Sequence, residues 1–202
     1  MTASCSQESR LRASRLRASR FRSRICLGVL LLMAAAAASA QQHRDPFTPS
    51  EIDQIRDASW EPQQRLALYM KFARARLVGL EQMRSDPKTK NRAQQTHDRL
   101  DDFVLIYDEL NDNIDTYIDR KNDIRKPLKL IIDADSEFQA KLLALKDAAD
   151  ASAEEAKQYE FTLTNALDTL ASSADDHRKL LTEQEDAAKH KKFAKASGNK
   201  PE

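Results

Sequence analysis

The chain has four histidines, the side chains best suited to acid–base chemistry near neutral pH, and they are dispersed: His43, His97, His177 and His190. From Gln41 onward no His-Glu-x-x-His, Glu-x-x-His, Cys-x-x-Cys-His or Gly-x-Ser-x-Gly motif occurs. The spacings typical of zinc, di-iron, haem and serine-nucleophile sites are therefore missing. We expect no enzyme and no cofactor, and we assign no catalytic, cofactor-binding or metal-ligating residue.

His177 is the histidine that interrupts an apolar pattern. At 100° per residue it falls on the apolar stripe of the last predicted helix, where its ring must find a hydrogen-bond partner or a ligand. The sequence favours a core histidine bonded to a backbone carbonyl or to an acid of the nearest turn, Asp119 or Asp123. The alternative is haem or metal ligation, with Met70 or Met83 as a second haem ligand.

Three other charged residues fall on apolar arcs. Asp135 lies on the apolar face of the fourth predicted helix, and Arg65 and Arg76 lie in the wide apolar arc of the second. Because a buried charge needs a partner, we expect an ion pair across the bundle, and residue counting favours Arg65 over Arg76 as the partner of Asp135. The alternative is a polar cavity that binds a small molecule.

The outer face of the third predicted helix is strongly acidic. Leu105 lies among its carboxylates, which suggests a docking surface for a basic partner or a divalent cation, with Leu105, Asp101, Asp108 and Asp112 as the candidate docking residues. The alternative is an ordinary solvated face, and no Asp-x-Asp-x-Asp-Gly calcium loop occurs. The acidic residues of this face are Asp98, Asp101, Asp102, Asp108, Glu109, Asp112, Asp115 and Asp119.

Lysines gather at the carboxyl end of the chain. They either complement the negative end of a helix or contact an anionic envelope polymer or lipid. Because Phe193 is the only aromatic residue among them, nucleic-acid binding is weakly supported. These lysines are Lys189, Lys191, Lys192, Lys195 and Lys200.

The elements that position these residues are predicted to be helices. Only Gly79 and Gly198 follow residue 40, too few glycines for the turns of a multi-stranded sheet. Thr48-Pro49-Ser50-Glu51 is a capping box that starts a short helix. Pro62 starts a second helix, which we expect to end near Arg84.

Three more helices are predicted along the rest of the chain. The third runs from Asp86-Pro87 to about Lys121, and the fourth starts at Asp123. Residues 128–197 contain neither Pro nor Gly, and we expect a break near 148–151 because a single helix of that length could not bury its apolar face. Ser152-Ala153-Glu154-Glu155 then caps the fifth helix.

The long helices carry apolar stripes at helical spacing, which predicts an all-α fold. The expected architecture is an up-down-up-down bundle of four long helices with a short N-terminal helix, preceded by a signal peptide. The stripes are Leu100, Phe103, Tyr107, Leu110, Ile114, Tyr117 and Ile118 in the third helix; Leu128, Ile131, Ala134, Phe138, Leu142 and Leu145 in the fourth; and Tyr159, Leu163, Ala166, Leu167, Leu170, Ala174 and Leu181 in the fifth.

The first forty residues have the order of a secretory signal. Seven of the chain's 33 basic residues and one of its 32 acidic residues precede residue 41, so the remainder carries a formal charge of −5. The arginines lead into the apolar run from Ile25 to Ala37 and then to Ala38-Ser39-Ala40, and we predict cleavage after Ala40. Cleavage removes Cys5 and Cys26, the only cysteines; the alternative is an uncleaved membrane anchor.

The sequence therefore predicts a signal peptide at 1–40, a flexible lead at 41–47, a bundle at 48–192 and a disordered basic tail at 193–202. We expect a non-enzymatic extracytoplasmic protein, periplasmic or secreted, that is a binding or structural element of a bacterial envelope. Its partner would be a protein or an anionic envelope polymer, with no nucleic acid and with membrane contact only through the signal segment. The alternative is a bundle that carries haem, metal or a small molecule.

Overall fold

The computed structural model describes residues 45–150 and 153–197. The predicted signal peptide, residues 41–44 of the lead and residues 198–202 of the tail lie outside the described residues. No strand occurs in the two described ranges, so the all-α prediction is confirmed. The helices are α1 (Pro49–Asp57), α2 (Pro62–Ser85), α3 (Arg92–Asp119), α4 (Arg125–Asp150), α5 (Ala153–Ala156) and α6 (Glu160–Ser197).

The predicted capping box at the start of α1 is confirmed. The Thr48 hydroxyl accepts a hydrogen bond from the backbone N–H of Glu51 at 3.3 Å. The Glu51 carboxylate in turn accepts from the backbone N–H of Thr48 at 2.8 Å. The backbone N–H groups of Thr48 and Glu51 lie at the helix start, where they have no partner within the helix. Their hydrogen bonds to these two side chains therefore fix where α1 begins. α2 begins at Pro62 and ends at Ser85, as the sequence predicts.

The predicted start of the third helix at Asp86-Pro87 is wrong, because α3 begins at Arg92. The Asp86 carboxylate accepts from the backbone N–H of Lys88 at 2.9 Å, so it closes a local turn instead of capping a helix. Asn91 precedes α3 with φ 50°, the left-handed region that asparagine tolerates better than most residues. Residues 86–91 therefore form a loop before the helix.

The long segment without Pro or Gly is divided, as predicted, but residues 148–150 still belong to α4 and residues 151–152 lie outside the described residues. The break that the structure describes is a turn at 157–159, between the four-residue α5 and α6. The predicted start of the long fifth helix at 152–155 is therefore wrong, because that helix begins at Glu160. The side chain of Tyr159 is fully buried, so this turn adds an aromatic ring to the core. At its other end α6 continues to Ser197, beyond residue 192, where the sequence predicts a disordered tail.

The four long helices share one core, and their neighbours in space differ from their order in the chain. Backbone contacts join α2 to α3, α4 to α6, α3 to α6 and α2 to α4. This pattern places α3 and α4 at opposite corners, connected by the turn at 120–124. Their side chains nevertheless meet across the core, where the rings of Phe103 and Phe138 pack edge to face at 5.5 Å between centroids.

The apolar stripes predicted for the three later helices face this core. All of their members are buried except Ile118, Leu167 and Leu181, which are partly buried. α3 also buries Asp102, Val104 and Ile106, because it contacts both α2 and α6 and therefore has a buried face wider than one stripe.

Candidate functional site

Five polar side chains meet between the helices, three of them buried and two, Asn111 and Ser173, partly buried. We refer to them as the buried polar cluster: Tyr107, Asn111, Asp135, Ser173 and His177. Tyr107 and Asn111 are four residues apart on α3, and Ser173 and His177 are four residues apart on α6, so each pair shares one face of its helix. Asp135 comes from α4. The three helices thus converge on one point.

Asp135 is the centre of the cluster. One carboxylate oxygen accepts a hydrogen bond from the Tyr107 hydroxyl at 2.6 Å. The other lies 2.8 Å from Nδ1 of His177. Asp135 is 1% exposed and His177 is 2% exposed, so water does not screen the contact between them.

The far side of the imidazole is also occupied. Nε2 of His177 lies 3.1 Å from Oδ1 of Asn111. The Asn111 amide donates to the Ser173 hydroxyl at 2.9 Å. The five side chains therefore form one chain of hydrogen bonds, which runs from Tyr107 through Asp135, His177 and Asn111 to Ser173.

The orientation of the Asn111 amide determines the charge of His177. As the amide is placed, both ring nitrogens face oxygen atoms, and an imidazolium is the form of the ring that donates to both of them. Its positive charge balances the Asp135 carboxylate, which would be costly to bury alone. A neutral ring would require the amide to turn so that its NH₂ group faces Nε2.

Tyr107 stays a hydrogen-bond donor in this setting. Burial raises the pKa of its phenol well above the usual range, and the negative charge of Asp135 adds to that effect. The hydroxyl is therefore protonated across the physiological range, and it holds the carboxylate from α3.

This geometry favours a structural role for the cluster. A catalytic histidine needs a ring nitrogen that can exchange a proton with a substrate, and here Asp135 and Asn111 occupy both. Asn111 also lies between Ser173 and the ring, which is unlike the direct contact of a serine nucleophile with its base. The cluster instead joins three helices through polar groups that satisfy one another.

The expected partners of His177 differ from the observed one because of helix register. The turn at 120–124 lies level with Gln184, whose amide donates to the backbone carbonyl of Asn122 at 2.9 Å and accepts from the backbone N–H of Ile124 at 3.1 Å. His177 is seven residues earlier on α6, about 10 Å from that level. It therefore meets Asp135 and not Asp119 or Asp123.

The expected pairing of Asp135 with Arg65 is also wrong. The Arg65 guanidinium donates to Oδ1 of Asn113 at 2.9 Å and to the Tyr69 hydroxyl at 3.2 Å. Arg65 is only partly buried, on α2, whereas Asp135 points towards α3 and α6. The charge of Arg65 therefore needs no partner on α4.

Arg76 is buried and pairs with α1. Its guanidinium donates to the Glu51 carboxylate at 2.6 Å and to the backbone carbonyl of Pro46 at 2.7 Å. Burial opposes ionisation of Glu51, but the hydrogen bonds from Arg76 and Thr48 outweigh it and lower the pKa of Glu51 below its usual value. This pair attaches α1 and the preceding segment to α2.

A second ion-pair group attaches α5. The carboxylate of Glu155 accepts from Arg84 of α2 at 2.9 Å and from Arg92 of α3 at 2.7 Å. The hydrogen bonds from Arg92, and then those from Arg84, lower the pKa of Glu155 although partial burial acts against them. Sequence periodicity did not reveal this group, because the three residues lie on three different elements.

The acidic face of α3 is narrower than its sequence indicates. The structure places Asp101, Asp108 and Asp112 on the surface and leaves Leu105 partly exposed. Asp102 is only 5% exposed, so it belongs to the interior side of α3 and not to the face. Partial burial, together with the charges of Asp112 and Glu109, raises the pKa of Asp108.

Tyr107, Asn111 and Ser173 are the cluster members that the sequence did not single out. Tyr107 occupies a stripe position, where an aromatic residue is normally apolar filler. Asn111 and Ser173 each lie four residues from a cluster member on the same helix, and this spacing is the signal that would have found them.

No family model, curated protein or solved structure matches the chain. Within the described residues, no group of three or more His, Cys, Asp and Glu side chains is arranged to hold a metal ion. None of the helices in that part of the chain is long and apolar enough to cross a membrane.

Proposed function

We propose that the protein is an exported, non-enzymatic, up-down-up-down helical bundle that acts through its surface, as a binding or structural element of a bacterial envelope. The observation that carries this proposal is the chain of hydrogen bonds within the buried polar cluster. The polar groups of that chain bind one another, so they serve packing, and the groups available to a partner are those on the surface.

The acidic face of α3 is the proposed partner surface for a basic protein. Asp101, Asp108 and Asp112 share one arc of the helix, with the partly exposed Leu105 between them. Like charges at this spacing weaken a helix slightly, and a bound basic partner would remove that repulsion. Partial burial raises the pKa of Asp108, and the negative charges of Asp112 and Glu109 add to that effect.

The test compares partner capture by two variants with equal changes in charge. Asp101→Asn, Asp108→Asn and Asp112→Asn, combined, remove three charges from the acidic face. Asp147→Asn, Asp168→Asn and Asp176→Asn remove three from exposed sites on α4 and α6 and serve as the control. We expect the first variant to lose at least tenfold in the affinity for a protein captured from envelope extract, and the control to keep it.

Two results would contradict the proposal. Equal loss of capture in both variants would mean that the acidic face is an ordinary solvated surface. Stoichiometric iron, copper or zinc in the purified protein, measured by elemental analysis, would instead favour the ligand-carrying alternative.

A further inference from the structure

One end of the bundle combines unpaired basic residues with exposed aromatic residues. We refer to this end, which comprises residues 58–63, 120–129 and 184–197, as the basic end. The hydrogen bonds between Gln184 and the turn at 120–124 place α6 beside the start of α4. Gln63 lines the same cleft as Lys126 and Glu185, which places the start of α2 there too.

Two clefts at the basic end are lined with positive charge. One has a volume of about 330 Å³ and lies between the turn at 120–124 and α6, and the other, of about 440 Å³, lies between α2, α4 and α6. The acids in them are already used, because Asp123 pairs with Arg125 and Glu185 pairs with Lys129. Three other lysines line these clefts without a salt bridge in the described part of the chain, Lys121, Lys126 and Lys191, although the charge of Lys126 also acts on Asp123.

Two large aromatic side chains are exposed at the same end. Trp60, in the turn between α1 and α2, is 91% exposed, and Phe193, on α6, is 74% exposed. α6 extends about 20 Å from Gln184 to Ser197, so Phe193 lies on a stretch of helix beyond the turn at 120–124. Exposed tryptophan and phenylalanine beside lysine are typical of surfaces that bind the interfacial region of a membrane.

We propose that the basic end binds the surface of a membrane containing anionic lipids. Lys121, Lys126 and Lys191 attract the headgroups, and Trp60 and Phe193 insert their rings at the boundary between headgroups and acyl chains. Bound in this way, the bundle lies on the surface of the membrane. This inference names a partner for the proposed surface role and rests on it, but it does not involve the acidic face of α3.

The combination of charge and exposed rings favours a lipid surface over two other occupants. A soluble polyanion would neutralise the lysines but leave Trp60 and Phe193 in water. The acidic face of a second copy of the chain would offer carboxylates with only the partly exposed Leu105 among them. Only a lipid interface receives both kinds of group.

Trp60 provides a direct test because it is the only tryptophan in the chain. The full-length protein is titrated with vesicles of phosphatidylcholine alone and of phosphatidylcholine with phosphatidylglycerol, and tryptophan emission is recorded. We expect a blue shift, and quenching by lipids brominated in their acyl chains, with the anionic vesicles only. The predicted signal segment can also bind lipid, but it has no tryptophan, so the readout reports the basic end.

Matched charge variants identify the residues responsible. Lys121→Gln, Lys126→Gln and Lys191→Gln, combined, should raise the half-saturating lipid concentration on the order of 100-fold, at about fivefold per lysine. Lys88→Gln, Lys90→Gln and Lys146→Gln remove the same charge from exposed sites at the opposite end and should have little effect. Phe193→Ala should weaken binding without changing its dependence on salt, because it removes no charge.

The proposal is overturned by any of four results. The first is an unchanged Trp60 emission with anionic vesicles, and the second is an equal response to phosphatidylcholine alone. The third is full displacement by soluble polyphosphate with emission unshifted, which identifies a polyanion site. The fourth is an emission shift that depends on protein concentration without lipid, which identifies a second copy. Capture through the acidic face is measured separately, so its failure is distinguishable from each of these.

Discussion

The Asp135–His177 pair is a polar interaction buried in the core, with Oδ2 of Asp135 2.8 Å from Nδ1 of His177. Each member compensates the charge of the other, and neither is accessible to water. In such a setting the loss of one partner is more costly than the loss of both, because the remaining charge is stranded in the interior. The two residues are therefore expected to be energetically coupled.

A double-mutant cycle tests this coupling. Asp135→Ala and His177→Leu should each lower the free energy of unfolding by about 3 kcal/mol, since each leaves a buried charge unpaired. The double variant should lose clearly less than the sum of the two. Chemical denaturation of all four proteins measures the coupling energy.

Arg65 supplies the control for the cycle. Asp135→Ala combined with Arg65→Met should be additive, because the Arg65 guanidinium binds Asn113 and Tyr69 and does not reach Asp135. Additivity for the pair with His177, or coupling with Arg65, would contradict the observed pairing.

The charge of His177 is open to a separate measurement. Because Asn111 and Asp135 both present oxygen atoms to the ring, ¹⁵N NMR shifts should show that both ring nitrogens are protonated at neutral pH. His190, which is exposed on α6, provides an internal reference in the same spectrum. A neutral His177 ring would show that the Asn111 amide has the opposite orientation.

The sequence identified Asp135 and His177 as polar residues of the core that need partners, but it did not identify the partners. Asp135 and His177 interrupt apolar stripes, which is a local property of each helix. Their contact depends on the register of α4 against α6 and on the placement of α3 opposite α4, and both are set by loops and core packing. Tyr107 was not recognised because a stripe position gives no sign that its hydroxyl is used.

At the scale of elements, the two short helices depend on ion pairs. α1 has nine residues and α5 has four, too few to be stable alone. Arg76 attaches α1 through Glu51, and Arg84 and Arg92 attach α5 through Glu155. Both carboxyl groups have a lowered pKa in the folded protein.

Acid should therefore weaken the folded protein through these two groups. Their folded pKa values lie below the unfolded value of 4.5, so their contribution to stability is complete above that pH and is lost as the pH falls through the folded values. Glu51→Gln should cost about 2–4 kcal/mol at neutral pH, because it strands the buried Arg76. Glu51→Gln and Glu155→Gln together should flatten the decline of unfolding free energy below pH 4.5.

Asp53 provides the matched control for Glu51 on the same helix. It pairs with Arg56 on the surface, with both side chains largely exposed, so Asp53→Asn should change the free energy of unfolding by less than 1 kcal/mol. Two results would contradict a role for these ion pairs in attaching α1 and α5. One is an equal effect of Glu51→Gln and Asp53→Asn on the free energy of unfolding. The other is an unchanged decline of that free energy below pH 4.5 in the variant that combines Glu51→Gln and Glu155→Gln.

Helix starts were predictable where the signal is local. The capping box before α1 and Pro62 before α2 act within one turn of the chain, and the structure agrees with both. Asp86-Pro87 has the same local signature, but there the carboxylate bonds the N–H of Lys88 in a turn. Whether an Asp-Pro pair starts a helix or closes a turn depends on where α3 must enter the core. The few residues around Asp86 do not contain that information.

At the scale of the whole molecule, positive charge is concentrated in two places: the predicted signal segment and the basic end. From residue 41 onward the chain has a formal charge of −5, and its acidic excess includes the face of α3. The bundle therefore has an acidic side and a basic end. The sequence of alternating helices could be predicted from the apolar stripes and the turn signals. The charge distribution could not, because it depends on the starts of α2 and α4 lying beside the last part of α6.

Export and processing are expected to define the mature molecule. Signal peptidase requires small residues before its cleavage site, and Ala38 and Ala40 supply them after the apolar run. Intact-mass measurement of the exported protein should place Gln41 at its N-terminus, and Ala40→Arg should leave the first forty residues attached and the protein in the membrane fraction. The predicted cleavage would also remove Cys5 and Cys26, so a reducing agent should leave the thermal unfolding of the exported protein unchanged. A wild-type protein that keeps residues 1–40 would instead be a membrane-anchored bundle, held at the lipid surface by its N-terminus.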